Sequence, residues 1–119
     1  MKLRLHDNSL RLRLSQPEVT QFGETGHVQN TLTFSPGRTL TYSLETAPVQ
    51  EVAAAFEGNR LSVVVPAPVA QKWIHSDQTG IEGASASLKI LIEKDFQCLH
   101  RSSEEDRQAF PNPLAQPVK

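Results

Sequence analysis

The residues whose types and spacing could do chemistry lie near the start of the chain. Two short segments on either side of a turn carry a basic residue at every second position: Lys2, Arg4, Arg11 and Arg13. If the segments form a hairpin across a two-residue turn, Arg4 faces Arg11 and Lys2 faces Arg13. Like charges opposite each other oppose strand pairing, by an amount comparable to the roughly 0.2–1 kcal/mol of a good cross-strand pair. The pattern predicts that an anion neutralises these four residues, which we call the basic face.

Two sources of that anion fit the sequence. One is a ligand, such as a phosphate backbone, a nucleotide or an acidic protein. The other is internal neutralisation by acidic residues elsewhere in the chain, for which the candidates are Glu45, Glu93, Glu104, Glu105 and Asp106. His6 lies at the end of the basic face, and the other side of the hairpin is predicted to be core. That side consists of Leu3, Leu5, Leu10, Leu12 and Leu14.

A second candidate site follows the last predicted strand, where Asp95, Cys98 and His100 lie close together. Cys and His two positions apart on an extended segment project to the same side, so a thiolate–imidazole pair is possible. Such a pair needs an orienting partner and an oxyanion hole, and no glycine-rich loop adjoins it. A single cysteine beside Phe96 and Leu99 is typical of a small buried hydrophobe, and we predict a structural role for Cys98.

Other chemistries have little support in the sequence. The four histidines are scattered without the spacing of zinc ligands, so we expect no metal and no cofactor. No phosphate-binding loop, dinucleotide-binding glycine motif or nucleophile elbow occurs. These observations favour a protein without enzymatic activity.

The composition is that of one globular domain. The chain has 119 residues, 38% of them hydrophobic and 21% charged, and a formal net charge of −1. That charge argues against a protein that coats nucleic acid non-specifically. One cysteine excludes an internal disulfide and suggests a reducing compartment. The first residues alternate instead of forming an apolar run, and no stretch approaches the roughly 20 apolar residues of a membrane span, so we expect a cytoplasmic protein.

The elements that hold these residues form an internal repeat. The segment from Asn8 to Leu14 aligns with that from Asn59 to Val65, Pro17 with Pro68, and Phe22 with Trp73. Each copy reads as a hairpin, a short proline-started helix and a second hairpin, and neither can bury its sheet face alone. The expected fold is therefore α+β and β-rich. Tandem ββαββ repeats would form a pseudo-twofold barrel-like sheet with two short helices and a C-terminal tail.

The predicted boundaries follow from the repeat. Residues 1–101 form a single domain of two halves, about 2–46 and 52–94. Residues 102–119 form a tail that is partly extended or disordered because three prolines fall within its last residues. In the second hairpin, the positions that correspond to the basic face carry small or apolar side chains: Ala53, Ala55, Ser62 and Val64.

Each half resembles the AbrB/MazE-type swapped-hairpin domains of bacterial transition-state regulators and antitoxins. The segment from Arg4 to Leu14 is similar to the hairpin of that family, and Val63-Val64-Val65-Pro66 stands at the same place in the second copy. Those domains form intertwined dimers, so the resemblance implies a pseudo-dimer within one chain and a DNA- or toxin-binding role.

The whole chain resembles a small bacterial family of unassigned function. The shared features are the Asn-Ser-x-Arg-Leu-Arg-Leu opening and the string Leu91-Ile92-Glu93-Lys94-Asp95-Phe96-Gln97-Cys98-Leu99. This resemblance implies no chemistry. The sequence thus predicts a small cytoplasmic binding module that contacts nucleic acid or an acidic protein through the basic face, with a thiol-dependent enzyme using Cys98 as the alternative.

Overall fold

The computed structural model describes residues 1–96, which form eight strands and two helices. The elements of the first half are β1 (Lys2–His6), β2 (Ser9–Leu14), α1 (Gln16–Thr25), β3 (His27–Ser35) and β4 (Arg38–Ala47). Those of the second half are β5 (Ala53–Glu57), β6 (Arg60–Pro66), α2 (Ala67–Ile74), β7 (Gly80–Ser85) and β8 (Leu88–Lys94). Both halves therefore have the order ββαββ, and the predicted repeat and β-rich α+β class are confirmed.

The two halves exchange hairpins. The first sheet has the order β1-β2-β8-β7, and the second has the order β3-β4-β6-β5. Each sheet therefore takes one hairpin from each half, and its two central strands are parallel: β2 with β8, and β4 with β6. The halves are intertwined, and neither sheet can form without both of them.

The core lies on the inner faces of the two sheets and beneath the helices. Alternation along β2 buries Leu10, Leu12 and Leu14, while Ile90 and Ile92 of β8 lie beside them. Each helix adds one buried aromatic ring. Phe22 of α1 and Trp73 of α2 meet edge to face with their centroids 6.3 Å apart, and the Trp73 indole N–H donates to the carbonyl of Thr79.

Helix α1 begins and ends where its sequence signals lie. Glu18 accepts a hydrogen bond from the Ser15 backbone N–H at 2.8 Å, which is one half of a capping box. The helix continues past Phe22 to Thr25. Gly26 then stops it in a left-handed conformation (φ 74°), and its N–H bonds to the Phe22 carbonyl.

Two expectations need correction. Neither sheet is closed into a barrel, because β7 and the start of β5 meet where the Val52 side chain lies against Gly83 and not through a strand ladder. Leu5 does not belong to the core: it is 64% exposed because it lies on the edge strand β1, whereas its partner Leu10 on the central strand β2 is buried. The predicted tail, residues 102–119, falls outside the described part of the chain. Neither described helix is long and apolar enough to cross a membrane.

Candidate basic interface

The hairpin of β1 and β2 brings the four predicted site residues together. The observed register pairs Lys2 with Arg13 and Arg4 with Arg11, as the sequence predicts. Because the leucines of β2 are buried, alternation puts these basic residues on the outer face of the first sheet. Two pairs of like charges therefore lie directly across from each other on neighbouring strands.

The parallel partner β8 adds residues to this face that the sequence analysis did not place there. Lys89 is in register with Ser9, Leu91 with Arg11, and Glu93 with Arg13. The alternation of polar and apolar residues along β8 in the sequence already separates Lys89, Leu91 and Glu93 from the buried residues of that strand. Which sheet they would join was not readable, because the pairing brings together residues about eighty positions apart.

Among residues 1–96, Glu93 and Asp95 contact the basic face. Glu93 Oε1 lies 3.4 Å from Nε of Arg11 and 3.4 Å from Nε of Arg13. The Lys2 ammonium lies 3.0 Å from an Asp95 carboxylate oxygen. All of these side chains are partly exposed, so each ion pair contributes about 0–1 kcal/mol. Glu93 is one of the internal neutralisers we considered, whereas Glu45 lies in the second sheet and the three acidic residues of the tail lie outside residues 1–96.

A small pocket opens beside these contacts. Its lining residues are Arg4, His6, Ser9 and Arg11, and its volume is about 170 Å³. The Ser9 hydroxyl donates to the His6 carbonyl at 2.6 Å, which fixes the turn end of the pocket. The volume corresponds to roughly five or six water molecules at about 30 Å³ each. It is smaller than the roughly 300–1,000 Å³ of ordinary small-molecule sites, and it fits one anionic group of a larger partner.

The second sheet shows that the fold does not require these charges. At the corresponding positions, Lys2 is replaced by Ala53, Arg11 by Ser62 and Arg13 by Val64. Its outer face carries one arginine, Arg60, whose guanidinium lies 3.4 Å from Glu45. Two sheets of the same topology thus differ strongly in outer charge, so the basic face is a property of the sequence and not of the architecture.

The start of β1 is held in place by helix α1. The N-terminal ammonium contacts the Glu18 carboxylate, and the Met1 carbonyl accepts a hydrogen bond from Tyr42 Oη at 2.7 Å. Burial acts to raise the pKa of Glu18, but the ammonium and the Ser15 backbone N–H outweigh it and the pKa is lowered. Burial, with the charge of Glu18, raises the pKa of Tyr42. Lys2 and Arg4 follow this anchored residue directly.

Comparison with known proteins identifies a family for this chain but assigns no function to the basic face. Residues 1–114 match the family described as a family of unknown function, DUF7009. The chain belongs to this family. No curated protein and no solved structure matches it. The predicted resemblance to a small uncharacterised family is confirmed, and family membership assigns no chemistry to the basic face.

The other predicted site of this DUF7009 member lies mostly beyond the described residues. Cys98 and His100 fall outside residues 1–96, so the structural role of Cys98 stays a prediction. Asp95, the third member of the cluster, contacts Lys2. Among residues 1–96 no group of three or more His, Cys, Asp or Glu side chains could hold a metal ion.

A larger groove between α1 and α2 was missed by the sequence analysis. Its volume is about 790 Å³, and Val19, Gly23, Ile74 and Phe96 contribute to its lining. The groove forms only when α1, α2 and the ends of β2 and β8 pack together, and no sequence motif marks these positions. It lies at the end of the described chain, since Phe96 is the last described residue.

Proposed function

We propose that this protein is a small non-enzymatic binding module that contacts an anionic partner through the basic face. The partner is a nucleic acid or an acidic protein. The observation that carries the proposal is the contrast between the two sheets. The first sheet has Lys2, Arg4, Arg11 and Arg13 on its outer side, while the corresponding positions of the second sheet have two alanines, a serine and a valine.

The charge balance of the first sheet supports the proposal. Its outer face also carries Lys89 from β8, and Glu93 is shared between two arginines. One carboxylate offsets the charge of Arg11 and Arg13 only in part, whereas Lys2 has Asp95 to itself. A partner that supplies phosphate or carboxylate groups would relieve the cross-strand repulsion between Arg4 and Arg11.

The pocket beside Arg4 and Arg11 suits one anionic group of a macromolecular partner. Its volume of about 170 Å³ admits one anionic group. A strand surface presents neighbouring side chains of one face at intervals of roughly 6.5–7 Å, which suits a partner with repeated charges. We propose a cytoplasmic location for this activity, which the presence of a single cysteine supports because disulfides are rare in reducing compartments.

The test is binding of two labelled probes, a short DNA duplex and a polyglutamate peptide, measured by fluorescence anisotropy over a range of salt concentrations. We expect affinity for the preferred probe to fall steeply with salt. Arg4→Gln and Arg11→Gln should each weaken binding, and for the duplex each should reduce the salt slope by about one unit.

The matched control is Arg60→Gln, which removes a half-exposed arginine from the outer face of the second sheet. We expect it to leave binding unchanged. An equal loss with Arg60→Gln would show that charge in general drives binding and not the basic face. Absence of salt-sensitive binding to either probe would contradict the proposal.

A further inference from the structure

The hairpin of β3 and β4 extends beyond the sheet that contains it. The last row in which all four strands take part joins Thr31, Thr41, Arg60 and Glu57. Past this row Leu32 pairs with Leu40 and Thr33 with Thr39, and neither β6 nor β5 continues. We call residues 32–40 the arm. In the first sheet, the corresponding hairpin of β7 and β8 continues for only one residue pair past the last row that all four strands share. The shorter hairpin indicates that the arm is not needed for the fold.

The arm exposes large apolar side chains. Leu32 is 49% exposed and Phe34 is 67% exposed. The register of β3 against β4 shifts between Thr33 and Ser35, which leaves Phe34 without a cross-strand partner. A two-stranded hairpin is marginally stable in water by itself, and exposed apolar groups on it mark an interaction surface.

The outer edge of β3 also differs from the other sheet edges. β5 and β7 touch each other where Val52 lies against Gly83, and each carries a charged residue, Glu57 in β5 and Glu82 in β7. β1 carries Lys2, Arg4 and His6, and charges of this kind oppose pairing with another strand. The segment of residues 28–37 contains no charged residue at all. Of the edges in the described part of the chain, β3 is the one that lacks this protection.

We propose that the arm joins two copies of this chain, with β3 of one copy pairing antiparallel with β3 of the other. A second copy fits this edge because an uncharged strand meets no like charge when it pairs with itself. Threonines alternate with larger side chains along this part of β3. Residues directly opposite each other in an antiparallel pair point to the same side of the sheet, so Leu32 of both copies lies on one face. The formal net charge of −1 adds little repulsion between copies.

The experiment measures mass against protein concentration, by sedimentation or light scattering, for the full chain. We expect the wild-type protein to show a concentration-dependent dimer. The double variant Leu32→Lys with Phe34→Lys should be monomeric at the same concentrations, because it puts like charges on the pairing strands. Circular dichroism should be unchanged, since both side chains lie outside the core.

Two controls make the result specific. Leu5→Lys changes another exposed leucine, 64% exposed on β1, and should leave the dimer intact. In a Cys98→Ser background, Thr33→Cys on the edge strand should be joined to its counterpart by a short bismaleimide, whereas Thr39→Cys on the inner strand should react far less. A wild-type protein that stays monomeric at every concentration, or equal cross-linking of both cysteines, would overturn the proposal.

Discussion

Glu93 and Glu45 occupy corresponding positions in the two sheets, yet they contact different numbers of arginines. Glu93 lies opposite Arg13 in β2, and Glu45 lies opposite Val64 in β6. Glu93 is within 3.4 Å of two guanidinium groups, whereas Glu45 is within 3.4 Å of Arg60 and of His27. The conserved geometry of the repeat thus supports two different electrostatic surfaces.

Removal of the charge of Glu93 should strengthen binding to an anionic probe. At the separation seen here, one charge contributes about 1 kcal/mol in water, which corresponds to roughly fivefold in affinity. We therefore expect Glu93→Gln to tighten salt-sensitive binding a few-fold in the anisotropy measurement, and Glu45→Gln to have no effect. Weaker binding by Glu93→Gln would indicate that Glu93 positions the arginines instead of competing for them.

Glu18 should make the stability of the protein fall in acid. Because the folded state lowers the pKa of Glu18 below its ordinary value of 4.5, its contribution is present above that value and is lost as the pH falls through the lowered pKa. Glu18→Gln keeps a residue suited to the capping box but loses the contact with the N-terminal ammonium. Near neutral pH it should lower the free energy of unfolding by about 1–2 kcal/mol.

The measurement for Glu18 is urea unfolding of both proteins at several pH values. The difference in unfolding free energy between wild type and Glu18→Gln should shrink towards zero in acid. Glu51→Gln, a change at an exposed carboxylate outside the helices and strands, should show no such convergence. A difference that is independent of pH would mean that Glu18 acts through packing alone.

Gly83 should tolerate no side chain. A methyl group there would lie 2.6 Å from Cβ of Val52, which is 8% exposed and belongs to the core. We expect Gly83→Ala to destabilise the protein by about 1–3 kcal/mol through overpacking. The double variant with Val52→Ala should be destabilised by less than the sum of the two single changes. A double-mutant cycle of denaturation midpoints can measure this difference. Simple additivity would show that β7 and the start of β5 are not in contact.

Removal of the Ser43 hydroxyl should leave the stability of the protein unchanged or raise it. Its side chain is 0% exposed on the outer face of the second sheet, and its Oγ has no hydrogen-bond partner among the described residues. The corresponding position of the first sheet is Leu91. A buried hydroxyl without a partner destabilises the fold, so Ser43→Ala should leave the free energy of unfolding unchanged or raise it by up to about 1 kcal/mol. A clear loss of stability, with none in Ser62→Ala, would show that the Ser43 hydroxyl is bonded.

Local sequence patterns determined the elements and the basic face. Alternation along β2 fixes which side of the hairpin carries Arg11 and Arg13, because a shift by one residue would expose Leu12 and bury the charges. Turn residues set the register of β1 with β2 correctly, and Ser15 and Gly26 mark the ends of α1. These features depend on neighbours within a few positions, so the sequence alone contains them.

Only the tertiary structure decided how the hairpins combine. Parallel pairing of β2 with β8 joins segments from opposite ends of the described chain, and no local signal distinguishes it from pairing within one half. That pairing brings Glu93 to the arginines and leaves residues 32–40 without a third strand. The charge partner of the basic face and the exposed arm both follow from non-local contacts, whose free energy depends on surfaces that exist only once both halves have folded together.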